Sequence, residues 1–156
     1  LAHRNLSIDF QRGRVTKTYL ALVCGDMAED AGEIDAAIGR SPSAARMTTD
    51  PSAIDAKPAQ TRYVVRERFG GRYTLVEAMP LTGRLHQIRV HLASLGHPIA
   101  ADDFYGRLEG APLQRHALHA LAIALTHPLT GEPLEISAPL TDDFRQAVEG
   151  LRAASA

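Results

Sequence analysis

The sequence predicts an α+β fold: a mixed, mainly antiparallel β-sheet flanked by helices. Three observations predict it. Residues 61–69 and 72–79 are β-rich runs on either side of Gly70-Gly71, the pattern of a tight hairpin. Residues 118–125 and 133–137 form a second pair of runs, joined by the turn-rich segment HPLTGEP. Helical periodicity at residues 85–95 and 140–151 falls between and after these pairs, so hairpins alternate with helices instead of single strands doing so.

The elements follow in order. Leu1, Leu6, Ile8 and Phe10 mark residues 1–11 as the end of an amphipathic helix. Residues 15–24 (VTKTYLALVC) read as a strand closed by Gly25-Asp26. Residues 26–59 are rich in Ala, Ser, Pro, Asp and Gly, with short strands predicted at 33–38 and 46–49 and loop elsewhere. In the run 72–79, Tyr73, Leu75 and Glu77 share one face and Thr74, Val76 and Ala78 the other, and Pro80 ends it. The helix at 85–95 stops at Gly96, with Pro98 beyond. The last helix, 140–151, takes Thr141 as its N-cap. The runs 72–79 and 118–125 are apolar enough to be covered on both sides and are expected in the middle of one sheet.

A length of 156 residues suits one domain, or most of one, with a real core. No apolar run approaches the roughly 18–20 residues of a membrane span, and no signal-peptide pattern is present, so the cytoplasm is the expected compartment. The single cysteine, Cys24, excludes an internal disulfide and thiolate metal clusters. The chain starts at Leu1, within the first helical pattern, which reads as a truncated product. A net charge of -1 argues weakly against a nucleic-acid partner, but distribution matters more than the sum. Lys17 and Lys57 are the only lysines; Arg62, Arg66, Arg68, Arg72, Arg84 and Arg89 crowd one stretch. Guanidinium forks suit phosphate, although a genome rich in arginine codons gives the same bias. By strand alternation Arg62, Arg66, Arg68 and Arg72 share a face, expected either to meet RNA phosphates or to pair with neighbouring acids.

The helix at 85–95 carries the most information. Leu85, Ile88, Leu92 and Leu95 form its apolar stripe, and Arg89 lies on the shoulder of that stripe between small or apolar neighbours. An arginine there either snorkels its head to water or needs an anionic partner. The segment Thr82-Gly83-Arg84-Leu85-His86-Gln87-Ile88-Arg89-Val90-His91-Leu92 closely resembles the TGRxHQIRVHL signature of RluA-type RNA pseudouridine synthases. The similarity extends through Ala93-Ser94-Leu95-Gly96-His97-Pro98-Ile99, Asp103-Phe104-Tyr105-Gly106, Arg115-His116-Ala117-Leu118-His119-Ala120 and His127-Pro128. Upstream, Lys17-Thr18-Tyr19 resembles the family's K-x-Y motif, and Gly32-Glu33-Ile34-Asp35 with Ile38-Gly39-Arg40 fits the loop before its central hairpin. Where the family often has glycine, this chain has Ala56 and Ala101, which matters only at a positive φ.

The resemblance implies a single partial catalytic domain over residues 1–156, isomerising uridine in ribosomal or transfer RNA by a carboxylate nucleophile and base flipping. It implies Tyr19 against the flipped base, Arg89 paired with the nucleophilic Asp, and Leu118 as an apolar wall. Arg84, His86 and Gln87 would lie near the RNA strand, with His119 beside Leu118 in the substrate-binding set. The family's HRLDxxTSG motif, source of the nucleophile, is absent from these residues; Asp9, Asp55 and Asp103 do not stand in its context. The isomerisation involves no net redox change, so no nicotinamide, flavin or metal is expected. His86 and His91 are five apart, about 140° round a helix, which is not the spacing of an HExxH zinc site. Cys24 reads as a small hydrophobe and not as a nucleophile. The competing reading is a non-catalytic RNA-binding module on the same scaffold.

Overall fold

The computed structural model describes residues 2–106 and 110–155. Its elements are α1 (Ala2–Gln11), β1 (Thr16–Cys24), β2 (Ala31–Asp35), β3 (Ile38–Arg40), β4 (Met47–Thr48), β5 (Ile54–Lys57), β6 (Gln60–Phe69), β7 (Tyr73–Pro80), α2 (Gln87–Ser94), β8 (Leu118–Thr126), β9 (Pro133–Ser137) and α3 (Asp142–Ser155). Six strands form one sheet in the order β2-β6-β7-β1-β8-β9, and β4-β3-β5 form a small second sheet. Each pairing between these strands is antiparallel. The predicted fold class holds, with two corrections of layout. The molecule has two sheets and not one, and β1, not β8, is the partner of β7 at the centre. The strand order follows from β1 pairing with β7 on one side and β8 on the other, so the first strand of the chain fills the gap between two later ones.

Local chemistry explains most boundaries. Gly70 and Gly71 take φ of 56° and 72°, and the Arg72 amide donates to the Phe69 carbonyl, closing the β6–β7 hairpin with two left-handed residues that glycine adopts without strain. The strand expected at 33–38 divides into β2 and β3, which belong to different sheets, with the Ala36 amide turned onto the Ala59 carbonyl between them. The strand β5 was expected as loop. Each of its residues is exposed, so no alternating apolar pattern marks it. Leu1 of the first predicted helix lies outside the described residues.

The core fills both faces of the larger sheet. One face carries α2 through Ile88 and Leu92, and the other carries α3 through Phe144, Ala147 and Val148. Phe144 is 1% exposed and its ring lies 6.3 Å from that of His119. Burying such a side chain stabilises the fold by roughly 1.5–3 kcal/mol. The Thr141 carbonyl accepts the first turn's amide from Arg145, the N-cap position predicted for it, while its hydroxyl accepts from Arg115. Among the described residues no helix is long and apolar enough to cross a membrane.

Two sequence expectations fail at β6 and α2. A bulge between Val65 and Glu67 shifts the β6–β7 register, so Arg68 leaves the face of Arg62 and Arg66. These arginines are also paired: Arg62 with Glu33, Arg66 with Glu77, and Arg68 with Asp26 and Asp30. Three of the four hairpin arginines thus take the ion-pair alternative to a phosphate-binding face, and the fourth, Arg72, lies 5.9 Å from the Tyr73 ring. The helix expected from residue 85 begins at Gln87, because His86 sits at φ 56°, in the left-handed region. Leu85 is 65% and Leu95 42% exposed, so the apolar stripe reduces to Ile88 and Leu92. The helix ends as predicted at Gly96, with Gly96 N–H on the Ala93 carbonyl and His97 N–H on the Leu92 carbonyl, the paired bonds of a Schellman stop.

Candidate active site

A cleft of about 510 Å³ opens where β1, β8, the end of β7 and the start of α2 converge. Its lining includes Lys17, Tyr19, Arg84, His86, Gln87, Arg89 and Leu118. Six of the seven residues singled out from the sequence thus meet in one place. Tyr19 stands opposite Ala78 on β7 and Ala120 on β8, and the β1–β8 register shifts between Thr18 and Tyr19. A bulge at that point re-aims the strand where the side chain is needed. Leu118 opposes Ala21 and Tyr19 opposes Ala120, so Leu118 and Tyr19 share a face.

The seventh residue, His119, does not join them. It follows Leu118 in a strand and must point the other way. It opposes Leu20, its Nε2 lies 3.1 Å from the Ala138 carbonyl, and it sits against Phe144 of α3. Gln87, though at the cleft, is 4% exposed and spends its amide on the frame. Its Oε1 accepts from Thr82 Oγ1 and the Arg84 amide, and its Nε2 donates to the Gln60 carbonyl and Thr61 Oγ1. Gln87 thereby fixes the turn that presents Arg84, whose Nε donates to the Pro58 carbonyl.

Arg89 is 11% exposed at its side chain and faces a buried anion, Asp102, at 0%. Its Nε and Nη2 each donate to Asp102 at 2.7 Å, a bidentate fork. The remaining Asp102 capacity takes the amides of Phe104 and Tyr105 at 3.0 and 3.1 Å. Burial alone would raise the Asp102 pKa, but the Arg89 bond and the two amides outweigh it and hold the carboxyl below its ordinary value. The Asp102 hydrogen bond likewise raises the Arg89 pKa. The Arg89 guanidinium also lies 5.4 Å from the Phe104 ring and 5.1 Å from the Tyr105 ring. Sequence reasoning expected an aspartate against Arg89 from outside these residues and passed over Asp102. The signal was the quoted Asp103-Phe104-Tyr105-Gly106 stretch, which Asp102 immediately precedes. Gly106 is required there, since a Cβ would stand 2.8 Å from the Ile99 carbonyl oxygen.

Tyr105 extends the network to His86. The Met47 amide donates to Tyr105 Oη at 3.1 Å, and Oη lies 2.9 Å from His86 Nδ1. Oη accepts from the Met47 amide, and its own proton finds an acceptor in Nδ1 when the His86 ring carries its proton on Nε2. Burial, then the Arg89 charge, lower the His86 pKa, so the imidazole is neutral at pH 7. His91, by contrast, is structural. It is 0% exposed, its Nε2 donates to the Ala36 carbonyl, and its Nδ1 accepts from Thr61. Among the described residues no three His, Cys, Asp or Glu side chains are arranged to hold a metal.

Charge at the cleft differs from charge on the hairpin. Among the described residues no carboxylate lines the cleft. Lys17 and Arg84 pair with no carboxylate among the described residues; they reach only the carbonyls of Thr82 and Pro58. Burial lowers the Lys17 pKa. A neutral donor, two uncompensated cations and an aromatic ring around an apolar wall suit a nucleotide, with the cations at its phosphate.

The RNA pseudouridylate synthase family model matches residues 1–94. The chain belongs to that family. It is 42% identical to ribosomal large subunit pseudouridine synthase D of Nitrosomonas europaea, over 97% of this chain and 45% of that protein. Identity to ribosomal large subunit pseudouridine synthase C of Vibrio vulnificus is 40%, over 97% of this chain and 49% of that one. The chain thus spans about half the length of these curated relatives. Human RNA pseudouridylate synthase domain containing 1 superposes with a TM-score of 0.76 at 34% identity, covering 96% of this chain and 71% of that structure. Within the matched span, β1 carries Lys17 and Tyr19, the turn before α2 carries Arg84 and His86, and α2 carries Gln87 and Arg89; Asp102, the partner of Arg89, lies downstream of that span.

Proposed function

We propose that this chain forms the base-receiving part of a cytoplasmic RNA pseudouridine synthase acting on ribosomal or transfer RNA. The observation that carries the reading is the convergence of Tyr19, Arg84, His86, Arg89 and Leu118 on one carboxylate-free cleft. In the reaction the N1–C1′ bond breaks, the uracil turns, C5 bonds to C1′, C5 loses its proton and N1 gains one. The target nucleotide leaves its stack to reach the cleft, where Tyr19 packs against the base and Leu118 backs it. Arg84 and Lys17 hold phosphate. The His86 Nε2–H, neutral at pH 7, donates to a uracil carbonyl or a phosphate oxygen. Arg89, tethered by Nε and Nη2, has Nη1 for the attacking carboxylate, keeping it ionised and aimed. That carboxylate belongs to an HRLD-type segment that is not among these residues.

The experiment measures tritium release from RNA carrying 5-tritiated uridine. The 156-residue chain should release none, and a form extended upstream through an HRLD-type motif should release it steadily. Turnover by the short form would overturn the assignment of the nucleophile. RNA binding without release by the extended form would favour the non-catalytic module instead. In binding assays Lys17→Ala with Arg84→Ala should flatten the salt dependence by about 0.7 per lost phosphate contact, while Arg62→Ala with Arg66→Ala should leave it unchanged.

A further inference from the structure

The site as read so far holds one nucleotide. Beyond it, on the far side of His86, lies a second groove of about 340 Å³, lined by Arg40, Ala44, Arg46, Met47, Leu85 and His86. His86 lines both depressions, so they share a wall. Leu85 stands on that wall with 65% of its surface exposed, in a turn whose left-handed neighbour His86 is tied to Tyr105. A large apolar side chain held out on a built turn has no packing role of its own. Met47 and the two alanines at 44 and 45 give the groove an apolar lining.

Its charge is positive. Arg46 pairs with no carboxylate among the described residues; its Nη1 donates to the Phe104 carbonyl at 3.3 Å, which ties the side chain to the Asp102 turn. Arg40 pairs with Asp55 among the described residues, so the uncompensated charge of the groove is Arg46. The two depressions are mechanically joined as well. Tyr105 Oη receives the Met47 amide on one side and meets His86 on the other, so β4 and the cleft wall rest on one phenol.

We propose that this groove is a subsite for the nucleotide next to the target uridine. Its base packs on Leu85 and Met47, and its phosphate meets Arg46. The inference rests on the cleft reading above, because the shared His86 wall has meaning only if a flipped nucleotide occupies the other side. A peptide would need a carboxylate or backbone-pairing edge to match; the unpaired guanidinium beside an apolar lining fits a phosphate and a base. The exposed Leu85 keeps the neighbour from following the target, standing where the flipped base leaves the stack.

The test is an NMR titration of the isotopically labelled 156-residue chain with uridine monophosphate and with the trinucleotide UpUpU. UpUpU should bind about tenfold more tightly, as one added stacked base provides. It should also shift the amides of Arg46, Met47 and Leu85, which the mononucleotide leaves in place. Leu85→Ser with Arg46→Ala, both at exposed positions, should remove that gain and leave the mononucleotide affinity unchanged. If UpUpU binds no better than the mononucleotide, or the double variant keeps its full gain, the subsite is overturned while the cleft reading stands. If neither ligand shifts the amides around Tyr19, the cleft reading falls and takes the subsite with it.

Discussion

Removing the Asp102 carboxylate tests the frame of the site most directly. Asp102 is fully buried and Arg89 nearly so, and four hydrogen bonds end on the two carboxylate oxygens. Asp102→Ala strips the buried guanidinium of its bidentate partner and leaves it only the largely exposed Asp103 carboxylate at 3.5 Å; breaking a buried pair in this way costs about 3–5 kcal/mol. For a domain of this size that lowers the melting midpoint by roughly 6–20 °C. Asp102→Asn keeps an acceptor for the Phe104 and Tyr105 amides and should cost less, by about 1–3 kcal/mol for each amide that stays satisfied. Arg89→Met combined with Asp102→Ala should be less damaging than the sum of the two, because the second change removes the stranded charge. The assay is urea denaturation of the four chains, read as a double-mutant cycle. Additivity within about 0.5 kcal/mol would refute the argument that the pair acts as a unit. Acid carries a second sign. The Asp102 pKa is held down by Arg89 and the amides, so its stabilisation is present above the ordinary aspartate value and is lost as pH falls through the folded one. Asp102→Asn should therefore flatten the acid limb of the stability curve.

Two further outcomes concern stability alone. Ala101 sits at φ 57° and is 4% exposed, so Ala101→Gly should relieve left-handed strain of about 1–2 kcal/mol against a glycine entropy cost of about 0.5–1 kcal/mol. A melting midpoint raised by up to about 6 °C is expected in a thermal scan, and a lowered midpoint would contradict it. Burial lowers the pKa of both His86 and His91, so the unfolded chain binds more protons below its ordinary histidine value, and stability should fall from pH 7.5 to 5.5. Denaturant midpoints at the two pH values check this; a higher midpoint at pH 5.5 would show that neither ring is held neutral.

The sequence by itself determined the fold class, the Gly70-Gly71 hairpin, the Gly96 stop and the company of Tyr19, Arg84, His86, Arg89 and Leu118. Local chemistry decides the hairpin and the stop; the company of the cleft residues was legible only through the resemblance of the long motif, since Tyr19 and Leu118 lie on strands that meet only in the sheet. Leu118 and His119 are adjacent in a strand and cannot both face the cleft. Tertiary structure decided the rest, because the partners are far apart in the chain. Nothing near β1 says that it will lie between β7 and β8, since strand order is set by which apolar faces meet. The charge of the hairpin could be judged only once Glu33, Asp26 and Asp30 were brought alongside its arginines. Ala101 read as a mild departure until its backbone proved left-handed. Asp102, thirteen residues from Arg89, became its counter-ion only when the turn after Ile99 folded back against α2, putting a buried charge where burial demands a partner.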